Sequence, residues 1–366
     1  MEHTNFNTAQ ERISWVDAFK GLCIVMMVWG HTGAPGTAYI YLFHIPAFFI
    51  LSGYTQKLDV KHPFRMIGKR FLTLFVPYFV INEGFFALYS ILNRMGLYSY
   101  VSDTPPTGFV QNTLVFLQWP QAMSPLGGAT WFLLVLFFAQ TVVLLLQFAF
   151  SKTKHSHRWV FLSGALVMGI GWICIERGWL SRWTLDLGFF AVGFVVLGMM
   201  LKHYRILECK VDSRTMAPMA VVTGVLIASF FFKDGLVNWP VREFIHPLLY
   251  LAGVWSGFYL SYLFIQYAHT AFVPLYGFFQ KIGQRTFSIL CGHFLTLKIA
   301  TLLLALCGLA PFDALKQIAW TSSCWWLYEI AVSVALCCGI SVLAEKNALT
   351  NYLVNAKLPK RKESVK

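Results

Sequence analysis

The 366-residue chain is 57% hydrophobic and 17% aromatic but only 12% charged, with a mean hydropathy of +0.60. Soluble domains carry about 25% charged residues, so this chain lacks the polar surface to cover itself in water and reads as a polytopic membrane protein. The net charge of +13 would suit a nucleic-acid binder if it were concentrated, but it is scattered between apolar runs.

The opening stretch, "MEHTNFNTAQERISW", has no basic start followed by a short apolar core and a small-residue cleavage site. No cleaved signal peptide is expected, and the first apolar segment should remain as a helix. Runs close to the ~20 residues that cross a bilayer predict ten helices. They fall at about 16–33, 37–55, 71–93, 130–150, 158–176, 184–201, 217–232, 245–266, 286–307 and 320–343. The expected fold class is therefore an all-α membrane-embedded helical bundle, with both termini cytoplasmic. Residues 1–345 form one domain, and 346–366, ending "NAKLPKRKESVK", form a solvated basic tail that can touch anionic lipid. The second span carries His44 and Pro46 and is expected to bend or locally unwind.

With the N-terminus inside, 21 of the 29 lysines and arginines fall on the cytoplasmic side and six on the other; Lys20 and Lys298 lie within spans. That asymmetry satisfies the positive-inside rule, whereas nine or eleven spans would scramble it. The basic excess is thus an orientation signal, which leaves the lipid bilayer as a partner and excludes nucleic acid. The one long outer loop, 94–129, is rich in aromatic, Asn, Gln and Ser residues and nearly free of charge. Two readings stand for it: a carbohydrate-binding segment, or a lid packed over the bundle.

Ionisable residues inside spans carry the chemical signal, because each costs about 2.5–3.5 kcal/mol to insert. Lys20 and His31 bracket "GLCIVMMVWG". Eleven positions bring a helix roughly 20° past three full turns, so the two share a face about 16 Å apart. Lys20 can serve a site there or snorkel to the surface. His44 begins span two close to His31, and His293 lies near the middle of span nine; imidazole works as acid or base near neutrality. Glu83, mid-span in "PYFVINEGFF", needs a proton or a cation, Asp17 stands one turn before Lys20, and Lys298 could line the same cavity. No GxSxG, P-loop or HExxH motif occurs, no acidic cage for a metal, and no CxxC among the eight cysteines, which read as small apolar packing residues. What remains is a buried general base with cations, suited to deprotonating a hydroxyl while an anionic donor is held. A transporter or flippase for a lipid-linked or small polar substrate would share these polar spans. The sequence carries no signal for oligomeric state.

Five stretches, in order, resemble the acyltransferase-3 family of integral membrane acyltransferases. They are "WVDAFKGLCIVMMVWGH", "FHIPAFFILSGY" at 43–54, "GKRFLTLFVPYF" at 68–79, "TWFLLVLFF" at 130–138 and "IGQRTFSILCGHF" at 282–294. Within that family the chain resembles the fucose O-acetylase-like branch. The resemblance implies about ten helices in a bacterial cytoplasmic membrane. It also implies transfer of an acyl group, commonly acetyl, from cytoplasmic acyl-CoA to a hydroxyl of an envelope carbohydrate or glycolipid. Acyl-CoA is then a donor substrate, and no permanently bound cofactor is expected. His31 corresponds to the family's proposed catalytic histidine and Lys20 to its basic partner, with lysine in place of the commoner arginine. Cys291 stands where tyrosine is frequent, and no appended hydrolase-like domain is expected. On this reading His44 and His293 orient or polarise, Arg70, Lys69 and Arg65 meet the CoA phosphates, and Glu83 and Trp131 contact substrate.

Overall fold

Helices that associate inside lipid gain little from apolar burial alone; close packing and interhelical hydrogen bonds hold them. Two pairs of glycines show where that packing is tightest. Gly21 of α1 (Ser14–Gly30) meets α9 (Val273–Gly283), and a Cβ built on it would stand 1.9 Å from the Phe279 carbonyl oxygen. Gly283 answers from α9, its Cβ position 1.7 Å from the Asp17 carbonyl. Gly53 of α2 (Thr37–Thr55) and Gly198 of α7 (Leu185–His203) interlock likewise, each against the other helix's backbone. Gly283→Ala should therefore push α1 from α9 and cost about 1–3 kcal/mol, seen as a lower midpoint of thermal unfolding in lipid. Gly277→Ala, on the same helix with nothing within 4 Å, should leave the midpoint in place.

The computed structural model describes residues 13–58, 60–208, 237–321 and 324–359. They form a helical bundle without a named strand, apart from one isolated bridge between Asn238 and Glu243. The remaining elements are α3 (Pro63–Arg94), α4 (Phe109–Gln118), α5 (Trp131–Ala149) and α6 (Ser156–Arg177). After α7 come α8 (Pro247–Ala271), α10 (Thr286–Leu306), α11 (Trp326–Ala344) and α12 (Ala348–Asn355). Eight of these helices among the described residues are long and apolar enough to cross a membrane. The 17-residue α1 is one residue short of that length, and the predicted span 217–232 lies outside the described residues.

Several boundaries differ from expectation for identifiable reasons. α1 stops at Gly30 because Pro35 and two left-handed glycines, Gly33 and Gly36 with φ of 69° and 84°, turn the chain into α2. α2 runs as one continuous helix through Pro46, so the local unwinding expected there does not occur. α3 starts at Pro63, ahead of the apolar run, and widens into a π-helical segment at Phe71–Phe75. The last long helix begins at Trp326, and Trp320, expected at its start, instead donates its N–H at 2.9 Å to Oε1 of buried Glu329. Loop 94–129 folds back on the bundle, with α4 seating a fully buried Phe116 against Tyr78, Phe79 and Phe86. The expected solvated tail begins as α12, whose Asn355 accepts 2.6 Å hydrogen bonds from both Ser288 and Ser341.

Candidate active site

α1, α2, α3, α5 and α10 surround a cavity of about 450 Å³, and the turn 237–240 adds to its lining. Lys20 and His31 both line it, as their spacing on α1 requires. α2 and α5 each add residues at both ends. The Lys20 end holds Arg70, Ser52, Thr55, Gln140 and Thr286; the His31 end holds Tyr41, His44, Trp131, Asn238 and Trp239. Between them the walls are apolar, with Ile24, Met27, Phe48, Leu74, Leu133 and Leu136.

At the His31 end the rings are crowded. The half-buried His31 ring lies 5.2 Å from that of His293, centroid to centroid, and 4.7 Å edge-on from Phe294. Tyr41 stacks toward His44 at 5.3 Å and donates its hydroxyl to the Gly30 carbonyl at 2.9 Å, tying α2 to the end of α1. Nδ1 of His44 lies 2.7 Å from the Ile40 carbonyl, and Nδ1 of His293 lies 2.9 Å and 3.0 Å from those of Ile289 and Leu290. A carbonyl oxygen only accepts, so each neutral ring carries its proton on Nδ1 and keeps the lone pair on Nε2. Nε2 of the buried His293 accepts no hydrogen bond among the described residues.

The aromatic wall is held from outside the cavity. Trp131 stacks on Trp239 at 6.2 Å and 24°, and the Trp239 indole N–H donates 2.8 Å to the Tyr250 hydroxyl. Trp239 sits on a tight turn in which Asn238 and Glu243 exchange backbone hydrogen bonds of 2.8 Å and 3.0 Å. Arg242 in that turn clamps buried Asp186 through both oxygens, at 2.5 Å and 3.1 Å, and also reaches Gln121 and the Ser181 carbonyl.

With this geometry, comparison with known proteins is decisive on one point: the family model described as an acyltransferase domain, acyltransferase 3, matches residues 13–342. The chain belongs to the acyltransferase-3 family. It is an acyltransferase of the multi-pass membrane type. No curated protein and no solved structure matches it.

Not every expected site residue of this acyltransferase reaches the cavity. Lys20, His31, His44, Arg70 and Trp131 line it, and His293 stands behind His31. Arg65 and Lys69 point outward from α3 and are exposed. Glu83 accepts a 2.6 Å hydrogen bond from Thr113 of α4, so it binds the folded-back loop to α3 and does not line the cavity. Lys298 does not line it either: its ammonium donates to the carbonyls of Val101, Leu315 and Gln317 at 3.1, 2.5 and 2.9 Å. It spends its charge on loop backbone. Conversely, sequence reasoning passed over Gln140, Asn238, Trp239 and Arg242. Gln140 had a usable signal, since Gln140 and Gln147 are the two polar amides in α5 and, seven residues apart, share one face. Trp239 and Arg242, on a short turn, had none.

Proposed function

We propose that this acyltransferase moves an acyl group, acetyl in the simplest case, from cytoplasmic acyl-CoA to a hydroxyl of an envelope carbohydrate or glycolipid. One observation carries the reading: a single cavity joins a cationic end, Lys20 with Arg70, to a histidine end, through apolar walls. CoA phosphates need cations, and only a slim apolar-tolerant arm carrying the thioester needs the passage between. With the N-terminus inside, the Lys20 end opens toward the cytoplasm and the His31 end toward the outer face of a bacterial cytoplasmic membrane.

In this mechanism His31 takes the proton of the acceptor hydroxyl as its oxygen attacks the thioester carbonyl. The new C–O bond forms, the C–S bond breaks, and the imidazolium returns the proton to the CoA sulfur, leaving ester and free thiol. His293, its Nδ1 proton held by two backbone carbonyls, packs its ring 5.2 Å from that of His31 and orients the base. Asn238 supplies the neutral N–H donor for the developing oxyanion, His44 orients the acceptor, and Trp131 gives a sugar ring an aromatic face.

Acetyl-CoA turnover by the purified protein in nanodiscs, with mass spectrometry of envelope glycans from a deletion strain, tests the reading and names the acceptor. Lys20→Ala should raise the apparent KM for acyl-CoA about tenfold, the loss of one charge-assisted contact, while Lys20→Arg retains most activity. Unchanged kinetics in Lys20→Ala at equal expression would remove lysine from donor binding, and turnover without any ester product would overturn the proposal.

A further inference from the structure

At its Lys20 end, where the apolar passage toward the histidines begins, the cavity wall carries a polar pair. Gln140 of α5 and Ser52 of α2 both line it, and the Gln140 Nε2 donates to the Ser52 hydroxyl oxygen. Gln140 is only 2% exposed, and its Oε1 accepts no hydrogen bond among the described residues. An orphaned buried carbonyl is costly and rare enough to need an explanation. The neighbouring amides are paired: just past the end of α2, Gln56 donates 2.8 Å to Gln147 of α5, which donates to the carbonyls of Lys57 and Leu58 at 2.9 and 2.8 Å. The α2–α5 seam is thus fully paired at Gln147 and short of one donor at Gln140.

The pair offers an N–H acceptor at Gln140 Oε1 and, in the Ser52 O–H, a donor: the complement of a secondary amide. Ser52 lies two helical turns from His44, about 12 Å along α2. In an extended pantetheine arm the thioester sulfur and the farther amide nitrogen are about 9 Å apart on ordinary bond lengths. With the thioester at the histidines, that amide falls beside Ser52 and Gln140, and the nearer amide lies in the apolar passage.

We infer that Gln140 and Ser52 read the farther amide of the donor's pantetheine arm, so that the cavity selects pantetheine thioesters over simpler acyl donors. The inference rests on the acyl-CoA reading above. Its test compares two donors on one preparation of the full-length protein in nanodiscs: acetyl-pantetheine, with both amides, and S-acetyl-N-acetylcysteamine, with only the nearer one. The wild-type protein should prefer acetyl-pantetheine about tenfold in kcat/KM, the usual weight of one buried hydrogen bond. Gln140→Leu should bring that ratio to about one. Because the ratio is internal to each preparation, the folded fraction cancels; if Gln140→Leu does not fold, Ser52→Ala takes its place with the same expectation. A ratio unchanged in the variant, or already near one in the wild type, overturns the inference and leaves Gln140 satisfied by water. If the wild type turns over neither of these thioesters nor acetyl-CoA itself, the acyl-CoA reading has failed.

Discussion

Replacing His31 with alanine is expected to lower acyl transfer by about 10²–10⁴-fold, the usual contribution of a positioned general base. The protein should still insert and fold. His31 caps α1 in an ordinary right-handed conformation, with φ −87° and ψ −4°, which alanine adopts freely. Acyl-CoA binding should also survive, since Lys20 and Arg70 lie at the other end of the cavity. His44→Ala and His293→Ala should fall between wild type and His31→Ala if they orient and tune. His246 and His269, exposed and away from the cavity lining, should tolerate alanine and serve as controls. Near-normal transfer in His31→Ala with loss in His293→Ala would move the base to α10. Retained activity in all three variants would end the histidine mechanism.

The parts of this molecule that were legible in the sequence are those that a bilayer or a helix imposes locally. Lipid allows only long apolar helices, so nearly every described span appears close to where composition puts it. Helical period alone brings Lys20 and His31 to one cavity. The same logic sorts the basic cluster: Arg65 and Lys69 stand four residues apart on one face of α3, and Arg70, about 100° around the helix, is the one that turns inward. What the period does not give is the neighbour. Buried Lys298 and half-buried Glu83 are ionisable groups in mid-span, as His293 is, yet one is consumed by loop carbonyls and one by a threonine of α4. Depth in the membrane marks such a residue as having a task; only the tertiary fold separates holding the outer loops from serving the cavity. The site's missed residues are of the same kind, since Trp239 is placed by an ion pair whose partners are 56 residues apart.

That ion pair carries the largest expected effect on stability. Asp186 is 0% exposed and sits in the first turn of α7, where the helix dipole already favours a carboxylate. Arg242 meets both its oxygens while holding a left-handed backbone, φ 63°, a strain of about 1–3 kcal/mol that the clamp has to offset. Arg242→Ala would leave the carboxylate buried and alone, at a cost of about 3–5 kcal/mol, and should give the lowest unfolding midpoint of any single change considered. Arg242→Lys should recover little, because an ammonium cannot make the two-pronged contact or reach Gln121 and the Ser181 carbonyl at once. Arg242→Met combined with Asp186→Leu removes both charges and should refold well above the Arg242→Ala midpoint, measured by thermal unfolding in nanodiscs. In that double variant the turn keeps its backbone bridge but loses its anchor, so Trp239 should sit less firmly against Trp131. The expected signature is a higher KM for the acceptor with the KM for acyl-CoA unchanged. Equal damage to both would mean that the clamp holds the whole cavity, whereas an unchanged acceptor KM would show that the turn needs no clamp to place its tryptophan.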